Sequence, residues 1–220
     1  KVDRNMVVGT TDKSEFVLMV PVTDADLAAA RSDGNDFVVT ANDGTTKRKH
    51  QIEKWDNVGN SLVLWVLVPT LYALQDTGLW LYYDNPSAAD QQDITGTWPA
   101  TFKCVLHLHD DFLDSTSNDN DGTNNGSSDV SGLIGDAQSF NDDDVTVADS
   151  ASLKWATPNR ITVAVVFKID SLSTWDKVIT KAKVGSPYGP FELRIHHSSP
   201  GNTLDATLAT GTTEHLLLGT

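Results

Sequence analysis

The sequence is poor in features that would tie it to several common classes of protein. It has one cysteine, Cys104, so no intrachain disulfide can form, which fits a cytosolic protein and equally a bacterial, archaeal or viral surface protein. Its longest apolar run, residues 62–68, falls far short of the ~20 residues that span a bilayer. We therefore expect no membrane insertion in this segment.

Basic residues are also scarce. The 16 Lys and Arg face 30 Asp and Glu, which gives a net charge of -14. A nucleic-acid partner is disfavoured, because the chain has no surplus of positive charge to neutralise phosphates. Between Cys104 and Leu153 there is no Lys or Arg at all, and this segment holds 11 Asp.

Glutamate is scarce in a way that argues against catalysis. Only four of the 30 acidic residues are Glu: Glu15, Glu53, Glu192 and Glu214. A retaining glycosidase needs two carboxyl groups across one cleft, and none of these glutamates has a second carboxylate two or four residues later. The sequence also lacks a Gly-x-Ser-x-Gly elbow, a phosphate loop and a dinucleotide fingerprint, and Cys104 lies in an apolar stretch that disfavours a thiolate. We predict a protein that is not an enzyme.

Short apolar runs between turn residues predict a first half made mainly of strands. Leu62 to Val68 is apolar on both faces, which predicts a central strand. Thr23 is predicted to cap a short helix over 24–31. Strands are predicted at 16–22, 37–40, 49–55, 62–68 and 78–83.

The second half has a similar pattern with more turns. The segment 110–136 is predicted to be a long loop, and Arg160 to Ile169 alternates apolar and polar residues cleanly. Strands are predicted at 102–109, 145–147, 160–169, 178–182, 191–195, 204–210 and 215–218. We predict an all-β fold of two tandem β-sandwiches, with domains at 1–86 and 101–220 and a linker at 87–100.

Residues 16–86 resemble the bacterial and archaeal domain of unknown function 2341. The pieces that carry the resemblance are, in order, FVLMVPV, LAAARSDGNDFVVTANDGT, HQIEKWD, LVLWVLVP and LWLYYDNPSA. The resemblance implies an extracellular β-sandwich without known catalytic residues, often followed by a lectin-like domain in surface proteins.

Residues from 102 onward resemble the start of a laminin-G-like, concanavalin A-like jelly roll. The matching pieces are VLHLHDDFLDSTSNDNDGTNNGSS, VSGLIGDAQSFNDDDVTVADSASL and ITVAVVFKIDSLSTWDKVITKAK. The resemblance implies binding of glycans or proteins, and in many members a calcium ion. A jelly roll needs about eight strands, and about seven are predicted here, so we expect an incomplete domain with an unpaired edge at 102–109 or 160–169. Either a longer polypeptide or a neighbouring chain would supply the missing strands.

The acidic segment is a candidate calcium site, because Ca²⁺ prefers carboxylate, amide and carbonyl oxygens in flexible loops. The resemblance places a second loop near the first. An ordinary solvated turn region would have the same composition. The predicted ligands are Asp114, Asn118, Asn120, Asp121, Asp142 and Asp144.

Two smaller groups are also candidates. His107 and His109 would share one face of a strand and, with Asp110 and Asp111, could bind Zn²⁺ or Ni²⁺; a polar strand end explains them equally well. Trp155, Trp175 and Tyr188 lie beside turn residues and could stack on sugar rings, or plug the ends of a sandwich. Trp55, Trp65 and Trp80 are predicted to belong to a core.

Together these observations predict a non-catalytic extracellular protein, displayed on a cell or virion surface. Its predicted role is binding or adhesion, directed to a glycan or a surface protein and supported by Ca²⁺. The first alternative is a structural or decoration protein of a virion or extracellular filament, in contact with copies of itself or with other surface proteins. The second alternative is a glycoside hydrolase. Fold alone does not choose among them.

Overall fold

A computed structural model describes residues 1–154, 161–171, 175–181, 191–198, 201–210 and 213–218. The fold is all-β, as predicted, and its sheets are antiparallel. The strands are β1 (Lys13–Thr23), β2 (Val38–Ala41), β3 (His50–Asp56), β4 (Ser61–Leu71), β5 (Leu79–Tyr82), β6 (Gly122–Asn125), β7 (Ser128–Ser131), β8 (Asp136–Ser139), β9 (Asp144–Val147), β10 (Trp175–Lys181), β11 (Phe191–Ser198), β12 (Gly201–Thr210) and β13 (Thr213–Leu218). The only α-helix among the described residues is α1 (Ile94–Thr97), and short 3-10 helices lie at Arg4–Met6, Ala25–Ala29 and Ala151–Leu153.

The chain divides into two compact units, residues 1–157 and 158–220. In the first unit, β4 is the central strand of a three-stranded sheet with the order β1-β4-β3, and β2 pairs with β5 in a second sheet. Side chains from both sheets form one core. This part of the unit is therefore a small β-sandwich.

Strand β4 shows how the sequence builds this core. Leu62, Leu64, Val66 and Val68 are almost fully buried, whereas the residues between them are half-buried. Successive side chains of a strand point to opposite faces, so one apolar face fills the interior of the sandwich. The prediction of a central strand is confirmed by the pairing of β4 with β1 and β3.

The turn before β2 depends on a glycine. Gly34 has a φ of +72°, which L-residues rarely adopt. A Cβ at this position would lie 3.1 Å from Ile52 Cδ1 and 3.2 Å from Trp55 Cδ1. The close packing of Phe37 on Trp55, with ring centroids 4.9 Å apart, lies directly beside it.

Aspartates close many of the turns in the first unit. In eight cases the carboxylate accepts a hydrogen bond from the backbone N–H two residues later, which is the Asx turn. These residues are Asp3, Asp24, Asp33, Asp43, Asp56, Asp90, Asp111 and Asp114. Asp24 rather than Thr23 caps the predicted helix, which is a 3-10 helix over Ala25–Ala29.

The segment predicted as a linker, 87–100, lies within the first unit. Its helix α1 follows Asp93, whose carboxylate accepts from Gly96 N at 3.0 Å. Trp98 is 7% exposed and donates its indole N–H to Gln51 Oε1 at 2.7 Å. The segment is therefore packed against β3 and is not an extended connection.

The prediction of a strand at 102–109 is wrong, and so is the prediction of a continuous loop at 110–136. Leu108 has a φ of 54°, which interrupts an extended strand, and only an isolated bridge joins Leu106 to Asp114. The predicted loop contains β6, β7 and the start of β8, which pair as β6-β9 and β7-β8. Turn residues dominate β6, β7 and β8, so the composition of these segments does not indicate strands.

In the second unit, β10 to β13 form an antiparallel meander in sequence order. The predicted strands at 178–182, 191–195, 204–210 and 215–218 coincide with these four. The predicted strand at 160–169 is wrong for residues 161–169, which are not in a strand. Among the described residues no strand pairs with this segment, and a strand requires a hydrogen-bonded neighbour.

No helix in the described part of the chain is both long enough and apolar enough to cross a bilayer.

Candidate functional site

The acidic segment is organised around the carboxylate of Asp114, which is 7% exposed. Its Oδ1 accepts from Val105 N and Thr116 N, both at 2.9 Å. Its Oδ2 accepts from Thr116 Oγ1 at 2.8 Å and from Asn120 N at 2.9 Å. A carboxylate offers about four acceptor positions, so internal donors occupy those of Asp114.

Three more of the predicted calcium ligands join this cluster. Asp121 Oδ1 accepts from Asp114 N at 2.8 Å, and Asn118 Nδ2 donates to Phe102 O at 3.1 Å. Asn120 is 4% exposed, and its Oδ1 accepts from the hydroxyls of Ser150 and Ser152. These bonds tie residues 102–121 to residues 150–152, which is a structural role.

The other two predicted ligands lie elsewhere in the loop region. Asp144 begins β9, and its Oδ2 accepts from Asn125 Nδ2 at 2.9 Å and Thr146 Oγ1 at 2.7 Å. The Thr146 and Asn125 hydrogen bonds hold the pKa of Asp144 below its usual value. Asp142 is exposed, in a turn with a φ of 62°. Four of the six residues thus belong to one hydrogen-bonded cluster, Asp144 belongs to another, and Asp142 is exposed; calcium binding stays a prediction.

His107 belongs to a buried polar network rather than to a histidine pair. Its Nδ1 contacts the Glu53 carboxylate, and its Nε2 lies 3.3 Å from Gln51 Oε1. Glu53 Oε2 also accepts from Trp65 Nε1 at 2.5 Å. Burial alone would raise the pKa of Glu53, but the hydrogen bond and charge of His107, with the Trp65 hydrogen bond and the charge of His109, together lower it.

His109 is separate from this network. Its Nδ1 lies 3.0 Å from Asp110 Oδ2, and ligand atoms of His109, Asp110 and Asp136 lie within 4.8 Å of one another. Both aspartates are exposed. This is the one cluster of three or more His, Cys, Asp or Glu side chains with such spacing among the described residues.

The predicted aromatic sugar platform falls largely outside the described residues. Trp155 and Tyr188 lie there, and Trp175 is the first residue of β10.

An exposed aromatic pair does occur on β5, where Trp80 is 55% and Tyr82 is 47% exposed. We call these two side chains the aromatic face. The prediction that Trp80 belongs to a core is wrong, because the alternating residues Leu79 and Leu81 pack on the core instead. Trp55 and Trp65 are half-buried, and Trp55 packs against the core.

Hydrogen bonds hold both rings of the aromatic face against the turn after β2. Trp80 Nε1 donates to Asn42 O at 3.3 Å, and Tyr82 Oη donates to Gly44 O at 3.2 Å. The φ of +72° at Gly44 allows the chain to reverse here. Residues two apart on a strand are separated by about 7 Å, so the two rings form a short, fixed platform.

A cavity of about 340 Å³ begins at the same turn. Apolar residues of β4 and β5, among them Val68 and Leu79, line it together with Tyr72, which is 38% exposed. Polar lining comes from Asn42, Asp43, Arg48, Gln75 and Asp76. Asn42 therefore belongs to the cavity and also contacts Trp80.

The signal for the aromatic face was present in the sequence. In the run Leu79-Trp80-Leu81-Tyr82-Tyr83, the aliphatic residues occupy one face of a strand and two aromatic residues the other. The large size of Trp80 suggested that it is buried. The alternation of side chains along a strand, however, indicates that only the aliphatic pair or the aromatic pair can face the core.

The comparisons with known proteins identify one family. The family described as "Domain of unknown function (DUF2341)" matches residues 33–157. The match extends past the region of the predicted resemblance and includes much of the acidic segment. No curated protein and no solved structure matches the chain significantly.

Proposed function

The chain belongs to the DUF2341 family, and from its surface geometry we propose that it is a non-catalytic glycan-binding protein. The observation that carries this proposal is the aromatic face of Trp80 and Tyr82. Sugar rings present C–H groups that pack on exposed aromatic faces. Both rings are fixed by hydrogen bonds to the turn at 42–44, so little side-chain entropy is lost on binding.

The surroundings of the aromatic face support the same proposal. Ligand sites combine apolar surface with a few placed polar groups, usually in cavities of about 300–1,000 Å³. The cavity of about 340 Å³ at the turn offers Asn42, Asp43, Arg48, Gln75 and Asp76 beside Tyr72. A polysaccharide bound on the aromatic face could place one of its sugar units in this cavity.

The remaining parts of the proposal concern context. We propose that the protein acts outside the cell, on a cell or virion surface, and that residues 101–220 belong to a laminin-G-like jelly roll. The four antiparallel strands β10 to β13 support the all-β class of that fold. Calcium, if it binds, would have to use oxygens other than those of Asp114.

Binding to insoluble polysaccharides tests the function. We expect the protein to be retained by at least one of cellulose, chitin and xylan. Trp80→Ala and Tyr82→Ala should each weaken that binding by about tenfold, the equivalent of ~1.4 kcal/mol. Phe16→Ala is the matched control, because Phe16 is 39% exposed on the other sheet.

Two outcomes would contradict the proposal. One is that none of the three polysaccharides retains the protein. The other is retention that Trp80→Ala and Tyr82→Ala leave unchanged while their melting temperatures stay those of the wild type.

A second candidate function, assembly with copies of itself or other surface proteins, rests on a different observation. Ile161, Val163, Val165, Phe167 and Ile169 are each 39–42% exposed. Apolar side chains that are exposed in a row are typical of protein contact sites. Light scattering of the wild type and of Val165→Lys tests this, since assembly through this row should be lost in the variant.

A further inference from the structure

Arg48 is placed differently from its basic neighbours. It precedes β3 and shares the strand face of His50, which is 1% exposed in the core. Lys47 and Lys49 point the other way and are exposed, and they bind Gln91 and Asp93. Arg48 is half-buried and lines the cavity.

The guanidinium of Arg48 has unused hydrogen-bonding capacity. Its Nε is buried and has no hydrogen-bond partner. The salt bridges found in the described part of the chain do not include Arg48. A buried N–H without an acceptor is unfavourable, and none of the described side chains supplies an acceptor for this one.

The cavity's own carboxylates are already engaged. Asp43 accepts from Thr45 N at 2.9 Å, Thr46 N at 2.8 Å and Thr46 Oγ1 at 2.5 Å, and these bonds strongly lower its pKa. Asp76 accepts from Lys1 Nζ at 2.6 Å and from Arg4 N at 3.1 Å. Arg48 is the one basic residue among those that line the cavity, so its chemical complement is an anion.

We propose that Arg48 binds the carboxylate of an acidic sugar, a uronic acid, within the glycan that the aromatic face holds. The planar guanidinium matches a carboxylate in a two-point hydrogen bond. Asn42 joins the cavity to Trp80, so one glycan can contact both. This inference rests on the proposed function and adds the chemical class of the sugar.

The negative charges of Asp43 and Asp76 oppose any anion, so we expect weak binding of a single sugar, in the millimolar range. The preference between two sugars is therefore more informative than either affinity. Methyl β-D-glucuronide and methyl β-D-glucoside differ only in the carboxylate, and titration followed by NMR measures both in the intact protein.

We expect the wild type to prefer the glucuronide by about tenfold or more, as charge-assisted hydrogen bonds predict. Arg48→Gln should remove the preference for the glucuronide, and Arg48→Lys should keep part of it. Lys47→Gln is the matched control, because it removes the same charge from the neighbouring exposed position. Melting temperatures show which variants are folded.

Equal binding of the two sugars by the wild type would overturn the inference, as would a preference that survives in folded Arg48→Gln. Tighter binding of glucose 6-sulfate than of the glucuronide would overturn the assignment to a carboxylate. If polysaccharide binding depends on Trp80 but no glucuronide preference is found, the inference fails and the proposed function stands. If the preference is found but Trp80→Ala and Tyr82→Ala leave glucuronide binding unchanged, the aromatic face takes no part in binding and the proposed function fails.

Discussion

Strand β4 and residues 161–169 both carry a row of apolar side chains at every second position, but the surroundings of the two rows differ. In β4, Leu62, Leu64, Val66 and Val68 are at most 2% exposed. In residues 161–169, the corresponding apolar side chains are 39–42% exposed. β4 has hydrogen-bonded neighbours on both sides, whereas among the described residues the second segment has none.

This difference shows that apolar residues at every second position define an apolar face of a strand. They do not provide the second layer of structure that buries this face. The pattern specifies which side chains would be buried together if another layer were present. The apolar face of β4 is buried against the sheet of β2 and β5. The stability that a row of apolar residues contributes therefore depends on whether the rest of the fold buries it.

Core truncation tests this comparison most strongly. Leu64→Ala should lower the free energy of unfolding by about 2–5 kcal/mol, because it removes buried methyl groups and leaves a cavity. Val165→Ala should change it by at most ~0.5 kcal/mol, as exposed substitutions do. Urea unfolding measures both. A large loss in Val165→Ala would show that the segment is covered in solution.

The acidic segment offers the same contrast between buried and exposed side chains. Asp114→Asn should destabilise by about 2–3 kcal/mol, because an amide can accept at one oxygen only and its NH₂ faces donors. Asp144→Asn, at an exposed position of β9, should destabilise clearly less than Asp114→Asn. Chemical denaturation compares them, and equal losses would contradict the central role of Asp114.

Chelation distinguishes internal hydrogen bonds from metal binding in that segment. Because backbone and hydroxyl donors occupy the oxygens of Asp114, we expect the same melting temperature with EDTA and with added Ca²⁺. Asp114→Asn should lower it equally in both. A clear drop in the wild type on chelation would instead support the predicted calcium site.

Acid should lower the free energy of unfolding through the buried side chain of His50. Burial lowers the pKa of His50, so the folded state favours the neutral ring. The resulting stability is present above about pH 6.5, the ordinary pKa of histidine, and is lost as the pH falls through that value. Urea unfolding at pH 7.5 and 5.5 tests this. His50→Gln should weaken this pH dependence of the free energy of unfolding.

The smallest expected effect is chemical rather than energetic. Burial raises the pKa of Cys104 to about 12, so almost no thiolate is present at pH 8. Iodoacetamide should leave the native protein unmodified and label it in urea, as mass spectrometry would show. Rapid labelling of the native protein would mean that residues 102–109 open readily.

Local patterns predicted those parts of the fold that depend on near neighbours in sequence. The turn at 42–44 and strands β1 to β5 follow from apolar period and turn residues. Strand β9 was predicted at 145–147, whereas its partner β6 and the hairpin β7-β8 were not, because polar and turn residues dominate those strands. Their pairing depends on contacts such as Asn125 with Asp144 across the sheet.

The candidate site was predictable in residue type but not in place. An aromatic platform was expected at Trp155, Trp175 and Tyr188, whereas the exposed pair found is Trp80 and Tyr82. Aromatic residues occur both in cores and at surfaces, and only the packing of Leu79 and Leu81 decides which side of β5 faces outward. Arg48 was not predicted, since its lack of a partner is a property of the folded state.

The eight Asx turns have a consequence for how quickly the chain reaches its fold. Each joins a carboxylate to an N–H only two residues away, so closing it costs little chain entropy. Even ten-residue loops close in about 10–100 ns, long before strands pair in microseconds. Chain reversals such as the one at Asp43 are therefore present before the sheets assemble. Replacing such an aspartate by alanine should slow refolding while leaving the unfolding rate almost unchanged.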